Sequence, residues 1–259
     1  MSLRGLLLAM MAAAPPFAAA QASASSPQAI QILEQVLSVS GARAMPLQSF
    51  TAQGTITYYW AGQPVQGSAT VRARGGEEVR LDAQLPDGPR SVVLSRRGGA
   101  RKGSDGKRTA IPSHNAAGAG LPALPYLFLS SLLADANAQV VYLGEESREG
   151  RREHHVQLVR RFSKETDPDG IAAALSRCDI FVDANTLQVL RIEDRIHPVQ
   201  SALETYPRAI EWEAYTPIGG IAVPTIVREK VGGQTTWELR ISTVQFNSDL
   251  SDDEFSLPE

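Results

Sequence analysis

The sequence predicts a mainly β chain of the α+β class, antiparallel, with a few helical segments laid over its sheet. Two observations carry this. From Ser176 to Pro258 the chain runs strand, tight turn, strand, with turn signals at Asp183-Ala184-Asn185-Thr186, Gly219-Gly220 and Gly232-Gly233. Between those turns polarity alternates: Ile210, Trp212 and Ala214 oppose Glu211 and Glu213, and Trp237, Leu239 and Ile241 oppose Glu238, Arg240 and Ser242. Period-two alternation joined by two-residue glycine turns marks antiparallel hairpins with one apolar and one wet face. The composition, 43% hydrophobic and 20% charged over 259 residues, supplies a sizeable core and excludes global disorder.

Residues 1–24 have the form of a secretory leader: Arg4, an apolar run from Leu6 to Ala14, then small residues ending Ala22-Ser23-Ala24. Cleavage is expected after Ala24, with Ala20 the competing site. The apolar run is too short to span a bilayer, so the mature chain, 25–259, is expected to be one domain with no transmembrane segment. Cysteine is absent near the cleavage site, which argues against a lipidated N-terminus, and the single Cys178 can form no internal disulfide. A periplasmic location follows as the expectation, with secretion as second choice. Formal charge is −3, and about −4 once Arg4 leaves with the leader. A chain this close to neutral is not built to bind nucleic acid.

Ser25-Ser26-Pro27 suits a helix cap followed by a first-turn proline; Ala29, Ile32, Leu33, Val36 and Leu37 then recur at helical spacing, and Gly41 can end the helix. Strands follow. Phe50, Ala52, Ile56, Tyr58 and Trp60 share one face; Val65, Ala69, Val71 and Ala73 share the next, and Val79, Leu81, Ala83 and Leu85 the third. Turns fall at Gly62–Pro64, Gly75-Gly76 and Asp87-Gly88, with a basic hairpin tip at Ser104-Asp105-Gly106. The pattern breaks over 110–138, where a Gly/Ala segment precedes an apolar run from Leu121 to Leu133. Its Tyr126, Leu127, Phe128, Leu129, Leu132 and Leu133 cover more than one helical face, so this helix must be buried or must cover an apolar cavity. Strands resume with QVVYLGEE and EHHVQLVRRF, and 163–175 looks like a loop with a short helical turn before the final sheet.

No catalytic signature stands out. Gly-x-Ser-x-Gly is absent, the Gly103–Lys107 turn lacks the residues of a phosphate loop, and Cys178 on an alternating strand reads as a core thiol. His154 and His155, adjacent on a strand, point to opposite faces and cannot chelate one metal together. Neither enzyme activity, metal nor cofactor is expected.

The order of parts resembles the outer-membrane lipoprotein carrier and sorting superfamily (LolA/LolB-like). The likeness runs over roughly 27–259: an N-terminal helix, FTAQGTITYYW leading a meander, an apolar helical interruption, YLGEESREGRREHHVQLV, DIFVDANTLQVLRIE, IAVPTIV and the closing FNSDLSDDEFSLPE. It implies a half-open β-barrel of about 11 strands, with helices covering an apolar concavity that takes acyl chains. The function it implies is a periplasmic lipid or lipoprotein carrier. The cavity and lid would be lined by Ile56, Tyr58, Trp60, Val71, Leu81, Tyr126, Leu127, Phe128, Leu132, Trp212, Trp237 and Leu239. The partner would be a lipid or a lipoprotein acyl chain, with an inner-membrane or envelope protein as a further partner. Two alternatives stand beside it: a sensor module for an envelope protein, and a structural envelope protein with a filled core.

Overall fold

The structure, a computed structural model, describes residues 25–59, 63–95, 98–112, 115, 124–198 and 204–257. The leader, Trp60, the start of the apolar run (121–123) and most of the Gly/Ala segment lie outside the described residues. The strands are β1 (Ser49–Tyr58), β2 (Val65–Arg74), β3 (Glu78–Leu85), β4 (Gly88–Ser95), β5 (Gly98–Lys102), β6 (Arg108–Ile111), β7 (Ala138–Arg148), β8 (Arg151–Arg160), β9 (Cys178–Asp183), β10 (Val189–Ile196), β11 (Tyr206–Ile218), β12 (Ile221–Val231) and β13 (Gln234–Phe246). Three described helices accompany them, α1 (Pro27–Val39), α2 (Pro125–Ala134) and α3 (Ile171–Leu175), with a 3-10 turn at Asp252–Phe255.

All thirteen strands form one antiparallel sheet in the order β6-β5-β4-β3-β2-β1-β13-β12-β11-β10-β9-β8-β7. This is two meanders, β1–β6 and β7–β13, zipped together where β1 meets β13, from Phe50 opposite Phe246 to Tyr58 opposite Trp237. The sheet does not close on itself, so the expected half-open barrel is what forms. Among the described residues it has thirteen strands where the resemblance implied about eleven; β5 and β6, the two shortest, extend it at one edge. The hairpins at Gly219-Gly220 and Gly232-Gly233 hold both central residues at positive φ, the geometry that matches the twist of the flanking strands.

One face assignment is corrected. Ala214 does not join Ile210 and Trp212 in the core: it is exposed, at φ 54°, and is left out of the pairing between Glu213 opposite Ile226 and Tyr215 opposite Pro224, with the register unchanged. The left-handed backbone at Ala214 interrupts the alternation, and Tyr215, packed against the core cluster, takes the inward place.

Both long helices pack on the concave side. Ser26 caps α1 by accepting from the Ala29 N–H (3.3 Å), and its own N–H donates to the Val140 carbonyl (2.8 Å), tying the helix start to β7. The far end of α1 docks against the β11–β12 turn. There Gly41 has φ 84°, and a Cβ on it would stand 2.0 Å from the Gly220 carbonyl oxygen. Ala29, Leu33 and Val36 of α1 join one apolar cluster with α2 and the inward residues of the sheet. On the opposite, polar face the C-terminal segment folds back over β2–β4. Arg72 meets Glu254 (3.3 Å), Arg74 meets Asp252 (2.7 Å), and Leu257 is buried beside Val93 and Ala100.

Candidate functional site

The concave face is apolar because each strand contributes its inward alternate residues. Of the twelve expected lining residues, Trp60 lies outside the described residues. Ile56, Val71, Leu81, Tyr126, Leu127, Phe128, Leu132, Trp212, Trp237 and Leu239 are all buried and belong to one cluster, with Tyr58 half-buried against it. The helices fill this concavity: Leu127, Phe128 and Leu129 of α2 are no more than 5% exposed.

How α2 is held is informative. Its N-cap is Leu124, which offers no side-chain acceptor, and neither terminal turn carries a charge that complements the helix dipole. An isolated helix of this length would not persist in water. It stays helical through docking and is fixed by three polar contacts. Tyr126 hydrogen-bonds to Tyr215, whose hydroxyl donates to the Val189 carbonyl (2.6 Å). Ser131 Oγ accepts from the Gly76 N–H (2.7 Å). Asp135, at the helix end, accepts from Arg160 (2.5 Å). Burial pushes the phenols of Tyr126 and Tyr215 well above their ordinary range, so both remain neutral hydrogen-bonding groups.

At one end of the concave face the apolar lining gives way to charge. Leu158 is followed, at the next inward position of β8, by Arg160; Ile192 of β10 is followed by Asp194; Ile210 of β11 is preceded by Arg208. The register sets Asp194 directly opposite Arg208, and their side chains form a two-pronged ion pair. Arg160 and Asp135 are each only 10% exposed, Arg208 10% and Asp194 6%. Cys178 lies among these groups, and burial pushes its thiol up and out of reach of ionisation. The sequence carried a signal for this band, since a charge at an inward alternate position is an exception to the pattern that defines the core.

The two histidines face opposite sides. His154 meets the Tyr142 hydroxyl (3.2 Å), while His155 stacks on Phe181 and contacts Asp179 (2.9 Å). On that polar face Arg191 pairs with Glu153 (2.5 Å) over the Phe181 ring, beside a cleft of about 520 Å³ whose walls include Arg148, Arg151, Glu211 and Lys230. Positive and negative side chains there are already paired with one another, Lys230 with Glu211 and Arg148 with Glu193 among them. Of residues 113–123 only Asn115 is described, and its amide exchanges two hydrogen bonds with the backbone of His197. Among the described residues no helix is long and apolar enough to cross a membrane.

No family model matches the chain, and no curated protein matches its sequence. Its fold, however, is shared by solved structures. A LolA superfamily protein from Nitrosomonas europaea aligns with TM-score 0.53 at 12% identity over 87% of this chain and 97% of that one. A candidate outer membrane lipoprotein-sorting protein domain from Vibrio parahaemolyticus aligns with TM-score 0.53 at 8% identity over 88% and 96%. A DUF1329 family protein from Desulfovibrio piger aligns with TM-score 0.54 at 14% identity over 90% and 98%.

Proposed function

We propose that this chain, with its LolA/LolB-like fold, is an exported carrier that holds a lipid or lipoprotein acyl chain on the concave face of the half-barrel. The observation that carries this is α2 itself. It is apolar over most of its surface, weakly helical by its own chemistry, and seated in the concavity by three polar contacts. Such a segment is suited to leave, and an acyl chain entering its place restores the lost burial at about 0.8 kcal/mol per methylene. The likeness in fold to a lipoprotein-sorting candidate supports the same reading. In this reading residues 1–24 are the cleaved leader, 25–259 act as one binding domain in the periplasm, and no chemistry is performed on the cargo.

The test is mass spectrometry of solvent extracts from protein purified without detergent, together with uptake of an apolar fluorescent probe. Acyl lipid is expected in the extract. Leu81→Glu, on the sheet wall that stays in place, is expected to reduce probe uptake by at least about tenfold, because an ionised carboxylate is not tolerated on an apolar wall. The circular dichroism of the sheet should be retained. A folded protein that takes up no lipidic probe contradicts the proposal. A stable complex with an envelope protein and no transfer of cargo would replace it with a sensor role.

A further inference from the structure

We infer that the cargo is an amphiphile with an anionic head, and that the buried Arg160 is the site that receives the head. This rests on the carrier reading and specifies it. The concave face is graded: inward positions along β8, β10 and β11 are apolar up to Leu158, Ile192 and Ile210, and the next inward residues are Arg160, Asp194 and Arg208. An acyl tail lying along the apolar part therefore ends at a band of buried charge. The two cations in that band differ. Arg208 sets two nitrogens, Nε and Nη2, on the two oxygens of Asp194, and the strand register holds that pair within the sheet. Arg160 is paired to a group on the plug: one of its nitrogens, Nη1, donates to Asp135 Oδ2 at the end of α2. Its Nε is buried with no hydrogen-bond partner among the described residues.

Asp135 thus stands where a ligand oxyanion would stand, and it fills that place incompletely. Its other oxygen is occupied in capping its own turn, accepting from the Asn137 N–H (2.9 Å). When α2 swings out of the concavity and takes the carboxylate with it, a guanidinium is left buried without a counter-charge beside apolar walls. That state is costly unless an anion arrives. A carboxylate or phosphate head, with two free oxygens, can bridge Nη1 and Nε in the planar fork that guanidinium offers, satisfying the nitrogen that Asp135 leaves idle. Release of the plug and capture of the head are then one exchange of anions on Arg160.

Matched ligands test this on the whole mature chain. Lauric acid, lauryl phosphate and lauryl alcohol compete with neutral N-phenylnaphthylamine at neutral pH, with acetate and inorganic phosphate as tail-free arms. Laurate or lauryl phosphate is expected to bind at least about tenfold tighter than the alcohol, the effect of one charge-assisted hydrogen-bond pair. The stronger of the two identifies the head. The tail-free anions should leave the probe in place. Asp135→Asn is expected to tighten laurate binding, because the competing carboxylate is gone. The double variant Arg160→Gln with Asp135→Asn leaves no buried charge unpaired and is expected to keep alcohol binding while erasing the preference for the acids. Equal binding of acid and alcohol, or a preference that survives in the double variant, overturns the head site and leaves the carrier reading standing. If none of the three lauryl ligands displaces the probe, both fall together.

Discussion

Tyr58 ends β1 opposite Trp237, with the Arg90 guanidinium 5.2 Å above its ring. Burial pushes its phenol from 10.0 up to about 12, with Arg90 lowering and Glu229 raising it to a smaller extent. Because the folded value lies above the unfolded one, the unfolded chain ionises first as pH rises. The neutral phenol's contribution is therefore complete below pH 10 and lost between pH 10 and about 12. It amounts to about 3 kcal/mol at most. Urea midpoints of the wild type are expected to fall across that range, and those of Tyr58→Phe to fall less; parallel curves would refute the assignment. Tyr126 and Tyr215, also pushed up by burial, share the alkaline loss, so the difference between the two proteins is the quantity to read. At this scale the sequence was informative where the pleat is unbroken: Ile56, Val71 and Leu81 fall inward as alternation requires. It was silent at Ala214, where the alternation is broken by a left-handed backbone conformation that no residue type announces.

Among the elements, α2 is the one whose stability is borrowed. The apolar run announced a buried helix, and its observed start at Pro125 follows the preference of proline for the first helical position. What the run could not announce was its partners, since Gly76, Arg160 and Tyr215 lie far from it in sequence and meet it only across the curved sheet. Tyr215→Phe removes the acceptor for the Tyr126 hydroxyl and leaves a buried phenol unsatisfied, at a cost of about 1–3 kcal/mol. Amide exchange within α2 is expected to accelerate about tenfold or more, while β1 and β13 keep their protection. Uniform acceleration across the sheet would mean that α2 is an integral part of the core and not a seated plug.

In the whole molecule the two faces of the sheet do different work. The concave one is apolar and covered by helices; the polar one is braced by the C-terminal segment, which lays Phe255 beneath Arg74 (4.9 Å) and buries Leu257. Leu257→Asp is expected to lower stability by about 2–3 kcal/mol, the cost of leaving a charge in an apolar seat. It should leave lipid uptake at its original affinity, since the two faces are separated by the sheet. A parallel loss of uptake would show that the brace and the concavity are coupled.

The link that leaves one rim at Ile111 and rejoins the other at Ala138 is unequally divided around its helix. Thirteen residues, 112–124, precede α2, and only three, 135–137, follow it. Extended chain reaches about 3.3–3.6 Å per residue and Asn115 is tied to the His197 backbone, so the chain beyond it spans at most roughly 30 Å on the first side and roughly 10 Å on the second. The short side keeps the Asp135 end of the helix near β7, yet its reach exceeds the few ångströms needed to part Asp135 from Arg160.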